Sequence, residues 1–448
     1  MPSDMYVWAW LPGDTEPVVA GVLQSSGEDL HFAYADSYLN RSDAVSLSPT
    51  LPLSDRWFTE VEDMRMPSAL RDAAPDAWGR RVILDKVTGV HGRDADVNTL
   101  HESVYLLESG SNRFGAIDFQ ERHDVYAPRE ETATLDELHH AAELLDAGES
   151  LSESLARALV RGTSIGGARP KALLRGSEGM EYIAKFSSSS DIFPVVGSEA
   201  ASLYLARETG MDVSEARMTR SLGKDVLLVK RFDRGQGGTR KMTVSALTLL
   251  GLGEMTSRYG TYPEIVNAVM KNDGDESTAK EMFRRIAFNI AISNTDDHLR
   301  NHAAFWDGKK LSLTPAYDLS PMSRTGDTAR QAIEYGTNGE RNSSFSELIG
   351  VASVYGMSKT DASEVVDRVR SAIADNWNDA ADFARLSASD RNALFGRQFL
   401  HPAASYGMSI PTRKHAASST YTARAELCEA PRKRDGGPCQ RRGRCPHH

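Results

Sequence analysis

Cysteine is nearly absent from this chain. Of its 448 residues only Cys428, Cys439 and Cys445 are cysteines, all within the last 21 positions. The long body before them can hold no disulfide, which fits a reducing compartment and excludes a disulfide-stapled secreted scaffold. Long apolar runs are missing too. None approaches the roughly 20 residues that a membrane helix needs, and the opening "MPSDMYVWAW" lacks the basic region and apolar stretch of a signal peptide. A cytoplasmic protein without a membrane role is expected. Positive charge is short, with 52 Lys and Arg against 62 Asp and Glu and a formal net charge of −10. That balance argues against a protein that coats DNA directly.

What is present suits a globular chain of two or three domains, with 40% hydrophobic and 25% charged residues. The charge is uneven. From Pro411 onward nine Lys or Arg face three acids, a balance of +6 that leaves the body at −16. The tail segment "PRKRDGGPCQRRGRCPHH" has no apolar periodicity and reads as a solvated, disordered arm. It has no C-x-x-C pair to support a metal site at Cys439, Cys445, His447 and His448.

The N-terminal runs "YVWAWLP", "PVVAGVLQS" and "DLHFAYA" are rich in β-branched and aromatic residues and separated by turn formers, so they predict a small β-rich module. In "LRDAAPDAWGRRVILDKV", Ala74-Pro75-Asp76 marks a helix start, with Trp78, Val82 and Ile83 on its apolar face. "SVYLLES" and "GAIDFQ" flank "GSNRF" and predict a strand pair. A linker is expected near 122–133, followed by helical periodicity over 134–161, broken at Gly148.

Four later stretches carry chemistry. "GTSIGGARPKALLRGSEGMEYIAKFSS" is a Gly-rich turn leading into a hairpin. Gly162, Gly166 and Gly167 permit a backbone that approaches phosphate, although a plain turn has the same composition and the P-loop pattern is absent. Lys185, inside the apolar "YIAKF", needs an anionic partner if it is buried. Glu199, just after a candidate N-cap Ser198 in "VGSEAASLYLARETG", is one. A Lys–Glu pair of this kind holds nucleotide phosphates in kinases, but a carboxylate near a helix N-terminus and a snorkelling lysine give the same sequence. A further strand, "DVLLVKRFDRG", would join two lobes, with Phe232 placed against a purine.

The fourth stretch, "SNTDDHLRNH", follows the apolar-periodic "EMFRRIAFNIAI", whose helix should end near Ile292. Asp296 and Asn301 stand five apart, as do the base and the metal-binding Asn of the kinase loop H-R-D-x-x-x-x-N. A hairpin with an Asp307-Gly308 turn comes next, and then a loop presenting Asp318 to a metal. His298 and His302 with Asp296 or Asp297 also allow a metal-dependent phosphohydrolase, but that chemistry leaves Lys185 and Glu199 without a task.

"TSIGGARPKALL", "YIAKFS", "VKRFDR", "NTDDHLRNHAAF" and "LTPAYDLSP", in this order, resemble the motifs of HipA-like serine/threonine kinases, the toxins of type II toxin–antitoxin modules. "LRDAAPDAWGRR" and "YLLES…RFGAIDF" are similar to that family's N-terminal domain. The resemblance covers roughly residues 5–400 and leaves out the tail. It implies an α+β, protein-kinase-like two-lobed fold with a small β-rich N-terminal domain (1–125) and an N-lobe (126–235). A mainly helical C-lobe (236–410) and the basic tail (411–448) would follow.

By matching motif, the resemblance makes Asp296 the general base and Asn301 and Asp318 the Mg²⁺ ligands. Lys185, with Glu199, would contact the ATP phosphates under the loop of Ser164, Gly166 and Gly167. Arg231, Phe232 and Asp233 would lie at the adenine and ribose end, with the backbone near Lys230 as hinge, and His298 stands two residues after the base. Lys230 departs from the acidic residue of some relatives. Ser164 matches a serine whose autophosphorylation ejects the phosphate loop. The implied cofactors are ATP and Mg²⁺. The implied partners are a protein substrate such as an aminoacyl-tRNA synthetase and a helix-turn-helix antitoxin, through which alone DNA would be reached. A small-molecule kinase and a catalytically silent co-repressor remain the alternatives.

Overall fold

The computed structural model describes residues 4–406 and 408, apart from 60–63, 91–94, 131–132, 163–168, 177–178, 189–190, 274, 276 and 325. Ser164, Gly166, Gly167 and the basic tail with its cysteines therefore lie outside the described residues. The architecture is mixed α and β, as expected, with three antiparallel sheets among the described residues. Strands β1 (Asp4–Ala9), β2 (Val18–Ser26), β3 (Asp29–Tyr34) and β4 (Ile117–Gln120) pair in the order β3-β2-β1-β4. Strands β5 (Lys171–Arg175), β6 (Glu181–Lys185), β7 (Ala216–Ser221) and β8 (Lys224–Lys230) pair as β5-β6-β8-β7. A small sheet joins β9 (Thr243–Ser245), β10 (Ala303–Trp306) and β11 (Leu311–Leu313) as β11-β10-β9.

Helix starts follow local chemistry where a polar cap is present. Asp76 caps the Ala77–Thr88 helix by accepting from the Gly79 amide, and Thr134 with Glu137 forms a capping box on the Leu135–Ala147 helix, which ends at left-handed Gly148. Two expectations need correction. "SVYLLES" is not a strand but belongs to the Glu102–Glu108 helix, started by the His101 ring accepting from the Ser103 amide. A short apolar run does not distinguish the two states, and the cap decided. Ser198 is likewise not a cap. The helix begins at Val195 after Pro194, because Val195 and Val196 are buried, and the Ser198 hydroxyl turns back onto the Val195 carbonyl at 2.9 Å. Glu199 therefore sits past the first turn.

The three cores do not follow chain segments. One combines β1–β4 with Met242, Val244, Ala304, Trp306 and Leu311, and the Trp306 indole donates to the Ser46 carbonyl at 2.8 Å. A second packs Trp78, Val82 and Ile83 of the Ala77–Thr88 helix against the Leu135–Ala147 helix and the inner face of β5, β6 and β8. The third and largest is helical, uniting Val195–Glu208, Ser277–Ala291 and Lys359–Phe383.

A buried charged joint ties these parts together. In the 110–120 turn, Arg113 is fully buried and its Nε donates to Asp118 Oδ1 at 2.7 Å, while Arg129 Nη2 reaches the same oxygen at 2.9 Å. Its other nitrogens donate to the carbonyls of Ala73 and Leu106. Burial by itself would raise the Asp118 pKa, but the two guanidinium groups outweigh it and hold the carboxyl down at about 2. The segment after β8 docks on the same turn. Arg231 and Arg234 donate to the Arg113 carbonyl and the Asn112 side chain, and the Gly115 amide donates to Asp233 Oδ2 at 2.8 Å. Gly115 has φ +72° and lies against the Thr243 backbone, which favours glycine there.

Removing one partner of a buried pair strands the other charge, so Asp118→Asn should lower unfolding free energy by about 3–5 kcal/mol in urea titrations. The contribution of Asp118 has a definite pH sign. Its folded pKa lies below the ordinary 3.8, so the stabilisation is complete above that value and is lost as pH falls toward about 2. The difference between wild type and Asp118→Asn should shrink over that window.

Candidate active site

Over the face of β5 and β6 that carries Lys171, Ile183 and Lys185 lies a cleft of about 570 Å³. Its wall includes Ile183 and Val229 from the strands, Leu203 from the Val195–Glu208 helix, and Phe114, Phe232 and Tyr317. Phe232 is half-buried and meets Phe114, Phe305 and Tyr317 with ring centroids at 6.2, 5.8 and 5.4 Å. These rings give a planar aromatic ligand an apolar place to stack.

The polar floor is built on Lys185, the last residue of β6. Strand alternation turns Ala184 into the core and Lys185 into the cleft. Its ammonium donates to Glu199 Oε1 at 2.5 Å and to Asp318 Oδ1 at 2.7 Å. Burial works against the charge of Lys185, but Asp318 and Glu199 overcome it and raise the pKa above the usual lysine value. Asp318 is held down at about 2, mainly by the Lys185 charge. Glu199 is shifted upward, because burial and the neighbouring Asp318 outweigh Lys185. Asp318 adopts φ +56°, a left-handed conformation that Asp tolerates better than most residues.

The two adjacent acids of "NTDDHLRNH" part company. Asp297 is 1% exposed, and its Oδ2 accepts from the Tyr262 hydroxyl, from Asn289 Nδ2 at 2.7 Å and lies 2.8 Å from His302 Nε2. Burial and the Asp297 charge keep the Tyr262 phenol far above its ordinary pKa. Asp297 thus fastens the loop to the helical core. Asp296 is exposed, and its carbonyl accepts from the His298 amide at 2.9 Å and from Asn301 Nδ2 at 3.3 Å. His298 and Asn301 line the cleft, whereas Asp296, in the same loop, is not among its lining residues.

Asn301 and Asp318 offer an amide and a carboxylate oxygen to one cleft, the hard donors that Mg²⁺ combines with phosphate oxygens and water. Those residues fit the metal that the motifs imply. Among the described residues no group of three or more His, Cys, Asp or Glu could hold a metal by itself, and His302 is buried against Asp297 rather than paired with His298. Lys230 and Asp233 also border the cleft. The Lys230 ammonium reaches Glu215 at 3.0 Å and its amide donates to the Glu215 carbonyl. Asp233, expected at the ribose end, has both carboxylate oxygens engaged by Arg231, and the Arg234 and Gly115 N–H groups take Oδ2 as well. Burial would raise its pKa, but the two arginines hold it well below the usual carboxylate range. The geometry gives Asp233 a joint to hold.

Several lining residues carry no local sequence signal for a place in a cleft. Tyr317 adjoins Asp318 and Phe114 adjoins Arg113, so their places in the motifs were the available signal. Lys171 and Asp76 come together from 95 residues apart, which no local pattern shows.

Residues 14–120 match the family model described as the HipA N-terminal domain, and residues 163–377 match the HipA-like C-terminal domain. Y4dM of Sinorhizobium fredii, a protein provisionally named a kinase, is 24% identical over 316 residues, covering 64% of this chain and 71% of its own. The HipA chain in the Shewanella oneidensis MR-1 toxin–antitoxin complex of HipA, HipB and operator DNA superposes with a TM-score of 0.59 at 18% identity, covering 89% of this chain and 99% of that one. The Helicobacter pylori proinflammatory kinase CtkA gives a TM-score of 0.39 at 13% identity over 54% of this chain and 92% of its own, too low to carry an argument. With both family domains matched in order, over residues 14–120 and 163–377, the chain belongs to the HipA-like family.

Proposed function

We propose that this protein is an ATP- and Mg²⁺-dependent kinase that phosphorylates serine or threonine on a cellular protein, acting as the toxin of a toxin–antitoxin module. The observation that carries the reading is Lys185 held between Glu199 and Asp318 on the floor of an aromatic-walled cleft, with exposed Asp296 in the loop that gives the cleft His298 and Asn301. In kinases such a lysine orients the α- and β-phosphates, and the nearby Asp accepts the proton of the substrate hydroxyl. Here Lys185 would bind phosphate, Phe232 and its ring neighbours would receive the purine, and Asp296 would take the hydroxyl proton. Bound Mg²⁺, held by Asp318 and Asn301, would neutralise charge on the transferring phosphoryl group. Asp233 enters indirectly, by fixing the segment that carries Phe232.

The antitoxin is proposed to be a helix-turn-helix protein, by analogy with the HipB and operator DNA bound to HipA in the Shewanella complex. The body of −16 suits a basic partner of this kind. An aminoacyl-tRNA synthetase is the proposed substrate class, and phosphorylation of Ser164 the proposed self-inhibition, in a segment outside the described residues. The division at 125, 235 and 410 is retained as a proposal for the functional units. Labelled ATP, purified protein and cell lysate test the reaction. Label should enter a protein band. Label in a small metabolite alone would make this a small-molecule kinase, and none in either would leave the co-repressor role.

Two sets of variants check the assignments. Lys185→Met should lose ATP affinity and phosphate transfer together, read by calorimetry and labelling. Asp296→Asn should reduce transfer on the order of 10²–10⁴-fold with ATP affinity unchanged. Its melting temperature should stay near wild type, because the side chain is exposed. Asp297→Ala should behave in the opposite way, losing about 1–3 kcal/mol of stability for each buried partner left unsatisfied. Full activity in Asp296→Asn would remove that residue as the base.

A further inference from the structure

The arginines that border the cleft differ in how firmly they are held. Arg231 is locked onto both carboxylate oxygens of Asp233. Arg80 forks onto both oxygens of Glu102, at 2.8 and 2.5 Å, and its Nε donates to the Pro75 carbonyl at 3.0 Å. Arg300 is held in a poorer geometry. Its Nε, at 3.0 Å, and its Nη2 both donate to the same oxygen, Oε1 of Glu254. Its Nη1 stands 3.8 Å from Asp72 Oδ1, too far for a hydrogen bond, and Asp72 already accepts from the Ser245 amide and hydroxyl at 2.8 and 2.7 Å. A carboxylate that spread its two oxygens over the Arg300 fork would bind it better than Glu254 does.

Glu254 is also easy to displace. It sits in a turn closed by the Gly253 amide donating to Thr256 Oγ1 at 2.8 Å, next to Met255, which is 72% exposed. The Arg300 and Glu254 side chains are themselves 36% and 59% exposed, and an ion pair so open to water contributes little stability. The backbone around the pair is fixed independently of it. Arg71 Nη2 donates to the Leu252 carbonyl at 2.8 Å, and the Tyr317 hydroxyl donates to the Arg300 carbonyl at 2.7 Å. Burial opposes the Glu254 charge, but Arg300, Arg71 and His298 outweigh it and hold the carboxyl below its ordinary pKa. With Glu254 turned away, those groups face an anion that must come from elsewhere. Arg300 precedes Asn301 and follows Asp296 by four residues, so it belongs to the loop at which an acceptor hydroxyl arrives.

We propose that Arg300 selects the protein substrate by binding a carboxylate of the segment that carries the acceptor hydroxyl, and that Glu254 holds the place of that carboxylate until substrate arrives. The proposal rests on the protein-kinase reading above and names its substrate class, a serine or threonine with Asp or Glu close by in sequence. One carboxylate replaces another, so the charge balance beside the base is unchanged, and the released Glu254 turns to solvent. An extended chain advances roughly 3.3 Å per residue, so an acid within about four residues of the hydroxyl spans the loop from Asp296 to Arg300.

The test incubates the full chain and labelled ATP with intact cell lysate and with a dephosphorylated chymotryptic digest of it, which keeps acidic and basic residues alike, and maps the phosphorylated sites by mass spectrometry. Asp or Glu should be enriched close to those sites. Arg300→Gln should abolish the enrichment and raise KM for the best acidic peptide roughly 10- to 100-fold, the scale of one charge-assisted contact, with kcat changed less. Arg300→Glu should transfer the preference to Lys at the same position, which a structural role would not produce. Glu254→Gln removes the competing anion and should lower KM for the acidic peptide about two- to fivefold. Acid enrichment that persists in folded Arg300→Gln, or wild-type sites with basic neighbours or no bias, would overturn the proposal and leave the kinase reading standing. Label in intact proteins but in no peptide would overturn it too, since recognition would then lie outside the local segment. If melting curves show Arg300→Gln unfolded, Glu254→Gln decides, and an unchanged KM there counts against the proposal. No label in protein or peptide would bring down the kinase reading with it.

Discussion

Asp233 is a carboxylate buried between two guanidinium groups, and much of the molecule is arranged to make that arrangement tolerable. Arg231 and Arg234 supply the positive charge, the Gly115 amide supplies a further donor, and the Arg113 carbonyl and Asn112 side chain absorb the remaining arginine N–H groups. A charge removed from water is costly unless each of its hydrogen-bonding positions is met. The partners come from residues 112–115 and 231–234, so folding must bring a turn of the N-terminal half against the segment after β8. The second buried pair, Arg113 with Asp118, shapes that turn from within. Buried pairs of this type give little net stability against apolar replacements, but they admit few alternative arrangements.

The cleft depends on this joint. Phe232 lies between Arg231 and Asp233, so fixing those two residues fixes the ring that meets Phe114, Phe305 and Tyr317. On the floor, charge is balanced more openly. Lys185 shares two carboxylates, one nearly buried and one partly exposed, and the exposed one, Asp318, is available to other cations. The neighbouring loop follows the same division of labour: Asp297 is spent on anchoring, and Asp296 is left facing solvent. Catalytic groups are most useful on a loop whose own attachment is rigid. Here Tyr262, Asn289 and His302 provide that attachment through a single carboxylate.

Much of this was legible in the amino-acid order, because the signals were local. The β-rich opening, the hairpin of β5 and β6, the helix ending at Ala291 and the Asp307-Gly308 turn follow from residue alternation, helical spacing and turn chemistry. The pairing of Lys185 with Glu199 was legible because a lysine inside an apolar strand needs an anion, whereas its second contact, with Asp318, follows only from the packed structure. Elsewhere the local signals are ambiguous. "SVYLLES" has too few residues to separate strand from helix, and Ser198 looks like a cap until the buried Val195 and Val196 extend the helix before it.

The sequence by itself determined the mixed α and β class, the order of the motifs and the chemical types that line the cleft, since each depends on residues within a few positions of one another. Only the tertiary structure decided which of two adjacent acids is buried, that Asp233 serves a joint, and that Asp76 meets Lys171 across 95 positions. Those outcomes depend on burial and on partners distant in the chain. Burial sets the cost of each charge, and the partner that meets that cost is known only once the chain has packed.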